Sequence, residues 1–161
     1  MDILPLPEAI ARLETMPAFL DAALESGRTR LKQRPAPGMF SLVEHACHLR
    51  DLEREGFLVR VHRLIGETSP RLAPFDGDAV AAARDYPSQD AQEATQEFAA
   101  ARRELTGLLA ALTAAEMSRP AFFGDRPVTF GEVVTMMVAH DQEHRDDIAR
   151  LVEFLATQEG G

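Results

Sequence analysis

His140 and His144 stand four residues apart in a stretch of helical periodicity, and His45 and His48 stand three apart in another. An imidazole on the inner side of a helix needs partners for both ring nitrogens once water is excluded. A divalent cation is one such partner. Residues i and i+4 of a helix share a face, so His140 and His144 can reach one ion at ~2.0–2.1 Å from each nitrogen. His-x-x-x-His on a helix is a recognised geometry for metal binding, and alone it is only moderately specific. The plainer reading is a pair of core histidines bonded to neighbouring side chains or water. A third ligand would come from the other helix, as His48 or His45. His45 lies nearer the centre of its apolar stripe and His48 at the edge, so periodicity leaves both open. Three neutral imidazoles suit Zn, Ni, Fe or Cu rather than Mg or Ca. They also leave a position for water, whose pKa falls towards ~7 on zinc, or for a thiolate.

Carboxylates accompany these histidines. Asp141 and Glu143 flank the His140/His144 pair, and Asp51 and Glu55 follow His48 by about one and two turns. A carboxylate there orients a liganding imidazole through its other nitrogen, or takes a proton. Glu55 and Asp51 are the candidates for that supporting role. Each is more simply an exposed helix acid in an acidic protein. A ferritin-type di-iron site is disfavoured because it needs two Glu-x-x-His motifs. Here Met137, Asp141, His45 and Leu42 precede His140, His144, His48 and His45 by three residues. His62, flanked by Arg60 and Arg63, reads as a solvated face. Cys47 neighbours His48 but points ~100° away around the helix, which suits packing. Arg102 and Arg103 offer an inward anion partner, or more simply a solvated or ion-paired face.

Four helix-period segments must position these groups. The first spans about 8–32, with Pro17 marking a kink or restart after Thr15. Arg34-Pro35-Ala36-Pro37-Gly38 ends it. The second opens on a Ser41/Glu44 capping box and runs to about Ile65. Residues 67–87 form a long connection, with one or two short turns expected between Asp78 and Asp85. The third segment spans about 89–112, and Arg119-Pro120, Gly124-Asp125 and Arg126-Pro127 then mark a loop. The fourth opens on a Thr129/Glu132 capping box and runs to about Ala156, with Val133, Met137, His140, His144, Ile148, Leu151 and Leu155 along its inner side. No convincing period-2 alternation is present. The pattern predicts an all-α four-helix bundle: a short link makes the first two helices antiparallel, and the second connection is long enough to cross the bundle.

The chain has 161 residues, enough for one domain over 1–161 with a single core. Its formal charge of −9 argues against nucleic acid or an anionic membrane surface as partner. No apolar run approaches the ~20 residues of a membrane span. The start, Met1-Asp2-Ile3-Leu4-Pro5, lacks the features of a signal peptide. One cysteine excludes an intrachain disulfide, so a cytoplasmic protein is the expectation.

The stretch from Pro35 to Asp51, with Phe40-Ser41 followed by His48-Leu49-Arg50-Asp51, resembles the opening of the second helix in the DinB/YfiT-like superfamily. Ala139-His140-Asp141-Gln142-Glu143-His144 resembles that superfamily's His-x-x-x-His helix. Phe98-Ala99-Ala100-Ala101-Arg102 and Pro74-Phe75-Asp76-Gly77-Asp78 resemble its third helix and long loop. Phe40 stands where tryptophan is usual. The resemblance implies an up-down-down-up bundle with a long crossover between helices two and three, often homodimeric. It implies one divalent transition metal (Zn, Ni or Fe) on His48, His140 and His144, which would choose His48 over His45. It also implies an enzyme activating a low-molecular-weight thiol, or water, for transfer to or hydrolysis of a small electrophilic substrate. The alternative is a non-catalytic metal-binding or stress-response bundle acting through binding or dimerisation.

Overall fold

The computed structural model of the chain describes residues 2–159; Met1, Gly160 and Gly161, included in the expected 1–161 domain, lie outside the described residues. Four rods make the bundle. The first is broken into α1 (Leu6–Glu14) and α2 (Met16–Ser26). Pro17 cannot donate to the carbonyl four residues back, that of Leu13, and the Arg102 guanidinium donates to it instead at 2.9 Å. This rod ends at Gly27, earlier than the periodicity suggests. A Cβ on Gly27 would stand 2.3 Å from Leu42 Cδ1, so the absent side chain lets the first and second rods close on each other.

The second rod is α3 (Leu42–Asp51), a π-helical segment (Leu52–Phe57) and α4 (Leu58–Gly66). The Ser41/Glu44 capping box forms, and Arg34 clamps the buried Glu44 with two 2.7 Å hydrogen bonds. The link from Arg34 to Phe40 is thereby tied to the start of α3. The connection that follows holds a short strand β1 (Arg71–Leu72) and α5 (Gly77–Ala83), the latter capped by Asp76. The third rod is α6 (Ala91–Ala110) and the fourth is α7 (Phe130–Glu159), with the Thr129/Glu132 hydrogen bonds at its start.

The expected loop around 119–127 is instead a hairpin of β2 (Pro120–Phe123) and β3 (Arg126–Thr129), with β1 pairing parallel to β2. Gly124, at φ +61°, makes the turn. Pro120 begins its strand and Pro127 lies on an edge strand, the places where a sheet tolerates proline. The molecule is otherwise helical, as expected.

Cross-links fix the rod directions. Arg54–Glu97 and His62–Glu104 pair in ascending order, so the second and third rods run parallel. Leu4–Thr135, Thr15–Arg145 and Arg30–Gln158 do the same for the first and fourth. The first rod ends beside the start of the second, where Gly27 meets Leu42, and its Leu13 shares Arg102 with Glu53 further along the second, so these two are antiparallel, which yields up-down-down-up. No helix among the described residues is long and apolar enough to cross a membrane.

The core is divided. One cluster holds Leu13, Leu52, Ala101, Leu105, Met137 and Val138. The other holds Met16, Leu49, Phe98, Ile148, Leu151 and Leu155. Between them every rod contributes to a polar layer, and the histidines of α7 lie at that level.

Candidate metal centre

Inside the layer, the Arg102 side chain is 2 % exposed. It donates two hydrogen bonds to Asp141, at 2.6 and 3.0 Å, and one to Glu53. Burial works against its charge, and the two carboxylates outweigh that and keep it ionised. Glu53 is pushed up to about 7 by burial and by Asp141, against the pull of Arg102. Arg102 is thus the inward ion-paired residue of the pair considered from sequence. Glu53 escaped the sequence reading, because in the π segment each turn takes up more residues than in an α-helix and the face a residue presents shifts.

The imidazoles lie on the other side of α7. His48 Nε2 and His144 Nε2 are 3.2 Å apart. The ring centroids of His140 and His144 are 4.7 Å apart, and those of His48 and His144 4.8 Å. His45 stands edge-on to His144 at 6.0 Å. All four rings share one feature: a buried Nδ1 with no hydrogen-bond partner among the described residues. Burial holds His45 and His48 down to about 4 and His144 to about 3, and the neighbouring imidazoles add to the effect. His140 is lowered too, with Glu143 and Asp141 acting in the opposite direction. The cluster is therefore neutral at pH 7, the state in which imidazole ligates a metal.

The separation of the two Nε2 atoms is a test of fit. Donors at ~2.0–2.1 Å around a tetrahedral ion are about 3.3–3.4 Å apart. The 3.2 Å observed is close to that edge. A single proton shared between the two nitrogens would also occupy it, but would leave His140 without a role. Among the described residues no three His, Cys, Asp or Glu side chains already stand in a complete ligand arrangement. The donor set nevertheless suits a transition ion: neutral, nitrogenous and drawn from two rods.

His140 and His144 are half-buried rather than sealed in the inner stripe, because they open onto a cavity of about 430 Å³. Phe40, His45, His48, Asp78, Glu143 and Asp147 contribute to its walls. Phe40 meets His45 edge-on at 5.5 Å and lies tilted against His48 at 5.6 Å. Gly77 seals His48 from the far side; a Cβ there would stand 2.6 Å from its Cε1. A larger hollow of about 640 Å³ opens on another face of α7, around Asp141, Gln142 and Arg145, and holds no imidazole.

The two supporting acids expected near His48 are placed differently. Asp51 accepts from Tyr86 at 2.6 Å and from Arg50 at 2.9 Å, and Arg84 lies 3.2 Å away. Glu55 is exposed and bonded to Arg84. Neither bonds an imidazole, since Arg50, Arg84 and Tyr86 draw both carboxylates away. Asp141 turns to Arg102, whereas Glu143 lines the cavity. His62 is exposed beside Glu104, and Cys47 is buried with its thiol against Gln89 and pushed up to about 11. Both sit away from the cavity.

The family model of the DinB superfamily matches residues 8–148, most of the chain. The chain belongs to the DinB superfamily. Among solved structures, YfiT from Bacillus subtilis superposes with a TM-score of 0.83 at 22% identity, over 94% of this chain and 87% of that one. YfiT is described as a probable metal-dependent hydrolase with an unusual four-helix bundle topology. At that identity the likeness carries the fold alone. No curated protein matches the sequence.

Proposed function

We propose that this DinB-superfamily chain is a metal-dependent enzyme. One divalent transition ion is held by His48, His140 and His144, and a water or low-molecular-weight thiol is activated there to attack a small electrophilic substrate. The observation that carries the reading is the approach of the His48 and His144 Nε2 atoms to 3.2 Å from two different rods, with His140 one turn away. The description of YfiT as a probable metal-dependent hydrolase supports it.

Bound there, the ion supplies Lewis acidity that lowers the pKa of a coordinated water or thiol towards neutrality. The protein's own groups do the rest. Glu143 lines the cavity and acts on His140 electrostatically, so its carboxylate is placed to accept the proton that the nucleophile gives up. His45, neutral and beside His144, has a ring able to donate or accept one hydrogen bond to the substrate. Phe40 holds both α3 histidines in place. A closed structural metal site would have no cavity beside it. The one here favours turnover over a purely structural or sensing role.

Cobalt loading tests the reading. The wild-type protein is expected to show the visible bands of a low-coordinate cobalt site, absent in His144→Ala. A small thiol should add thiolate-to-metal absorption if thiols are the nucleophile, and an ester panel should be hydrolysed if water is. Identical cobalt spectra for wild type and His144→Ala would contradict the proposal.

A further inference from the structure

A third hollow, of about 250 Å³, is also lined by His140. Its walls are apolar apart from His140 and one charged group: Leu52, Phe57, Phe75, Phe123 and Met137 surround it, and the Arg60 guanidinium enters among them. That cation is stacked, at 5.0 Å from the Phe123 ring centroid and 5.8 Å from that of Phe57. Its Nε is buried and has no hydrogen-bond partner among the described residues. Its one hydrogen bond among the described residues goes to the Ala73 carbonyl, at a long 3.4 Å. No carboxylate pairs with it there, although the chain carries 26 acidic residues and 17 basic ones. Burial holds the guanidinium below its ordinary value, consistent with a charge short of partners.

A partly buried guanidinium whose one acceptor among the described residues is a distant carbonyl, with no carboxylate beside it, is costly. In an acidic protein, pairing it would need one aspartate or glutamate nearby. The hollow has the chemistry of a ligand site: a planar fork able to donate two parallel hydrogen bonds to a carboxylate, framed by aromatic and aliphatic walls. One cation matches one negative charge, which suits a carboxylate better than a phosphate dianion. A hollow of about 150 Å³ suffices for benzene, so this one takes a ring and its carboxylate together.

We infer that this hollow is a binding subsite for a small aromatic or apolar carboxylate, anchored by Arg60 and directed past His140 towards the histidine cluster. His140 lines both cavities, and Phe75, in the wall of this one, lies 6.4 Å from the His48 ring. A molecule seated on Arg60 therefore presents its far end to the imidazoles. Only that orientation rests on the proposed function; anchorage at Arg60 does not.

The methionines report on position, since Met136 and Met137 line this hollow and Met39 lines the other. The full chain, labelled with ¹³C-methyl methionine, is titrated with phenylacetate and with phenylacetamide, both metal-free and zinc-loaded. Phenylacetate is expected to move the Met136 and Met137 signals saturably, and the amide only at tenfold higher concentration or more. Arg60→Met removes the difference and Arg60→Lys retains part of it, with the remaining methyl signals confirming the fold. Equal responses to acid and amide, an unchanged preference in Arg60→Met, or shifts confined to Met39 would each overturn the subsite. Acid binding that depends on Arg60 in a protein whose histidines take up no zinc would retain the subsite and end the proposed function. Zinc uptake without acid binding would do the reverse.

Discussion

Each imidazole of the cluster is forced to remain neutral by its surroundings, and that has a consequence for stability. In the unfolded chain a histidine titrates near ~6.5. In the metal-free fold, burial holds His45 and His48 to about 4 and His144 to about 3. Between those values the unfolded state binds protons that the native state refuses, so stability is intact above pH ~6.5 and declines as pH falls towards 4. The melting temperature of the metal-free protein should be flat above pH ~7 and drop across that window. The double variant His45→Phe/His48→Phe should drop less steeply; a slope equal to wild type would refute the assignment. Glu143 makes a separate prediction. Glu143→Gln should leave metal content unchanged and lower kcat by about 10²-fold or more, the scale of lost general base catalysis. Loss of the metal in that variant would show that Glu143 does another job.

At the scale of elements, α5 and the link before α3 form the walls around His48. The contact of Gly77 with His48 leaves no space for a methyl group. Gly77→Ala should push α5 or the ring aside and weaken zinc affinity at least tenfold, while the apo melting temperature changes by only a few degrees; unchanged affinity in a competitive chelator titration would contradict this. Much at this scale was legible in the sequence. The two capping boxes gave the starts of α3 and α7, and Pro17 marked the break in the first rod, because each signal is local chemistry. The hairpin was hidden by Pro120 and Pro127, which argue against strands unless an edge position is known. The π segment leaves no local mark, so Glu53 is not visible in the sequence and Glu55 falls off an unbroken α register, whereas Asp51, still within α3, is drawn away by Arg50, Arg84 and Tyr86. His48 and His45 could not be separated by periodicity because both face the cavity. Arg60 and Gly77 matter through neighbours distant in the chain.

Across the whole molecule, one polar layer separates two apolar cores, with Arg102, Glu53 and Asp141 on one side of α7 and the histidines at the same level on another. The ion triad is buried, so removing its cation strands two carboxylates. Arg102→Ala should cost about 3–5 kcal/mol in urea unfolding. Replacing all three charges with apolar side chains of similar volume should recover most of that. A loss under ~1 kcal/mol for Arg102→Ala would show that the layer does not hold the cores together. A homodimer remains a further proposal for this chain, and sedimentation velocity at micromolar concentration is expected to give twice the mass of a 17.7 kDa chain.

The most direct measurement is elemental analysis of the purified protein and of His48→Ala, His140→Ala, His144→Ala and His62→Ala. About one divalent transition metal per chain is expected in the wild type and in His62→Ala, with most of it gone from the other three. Equal metal content in all five proteins, or none in any after loading with zinc, nickel and iron, would contradict a metal centre on His48, His140 and His144.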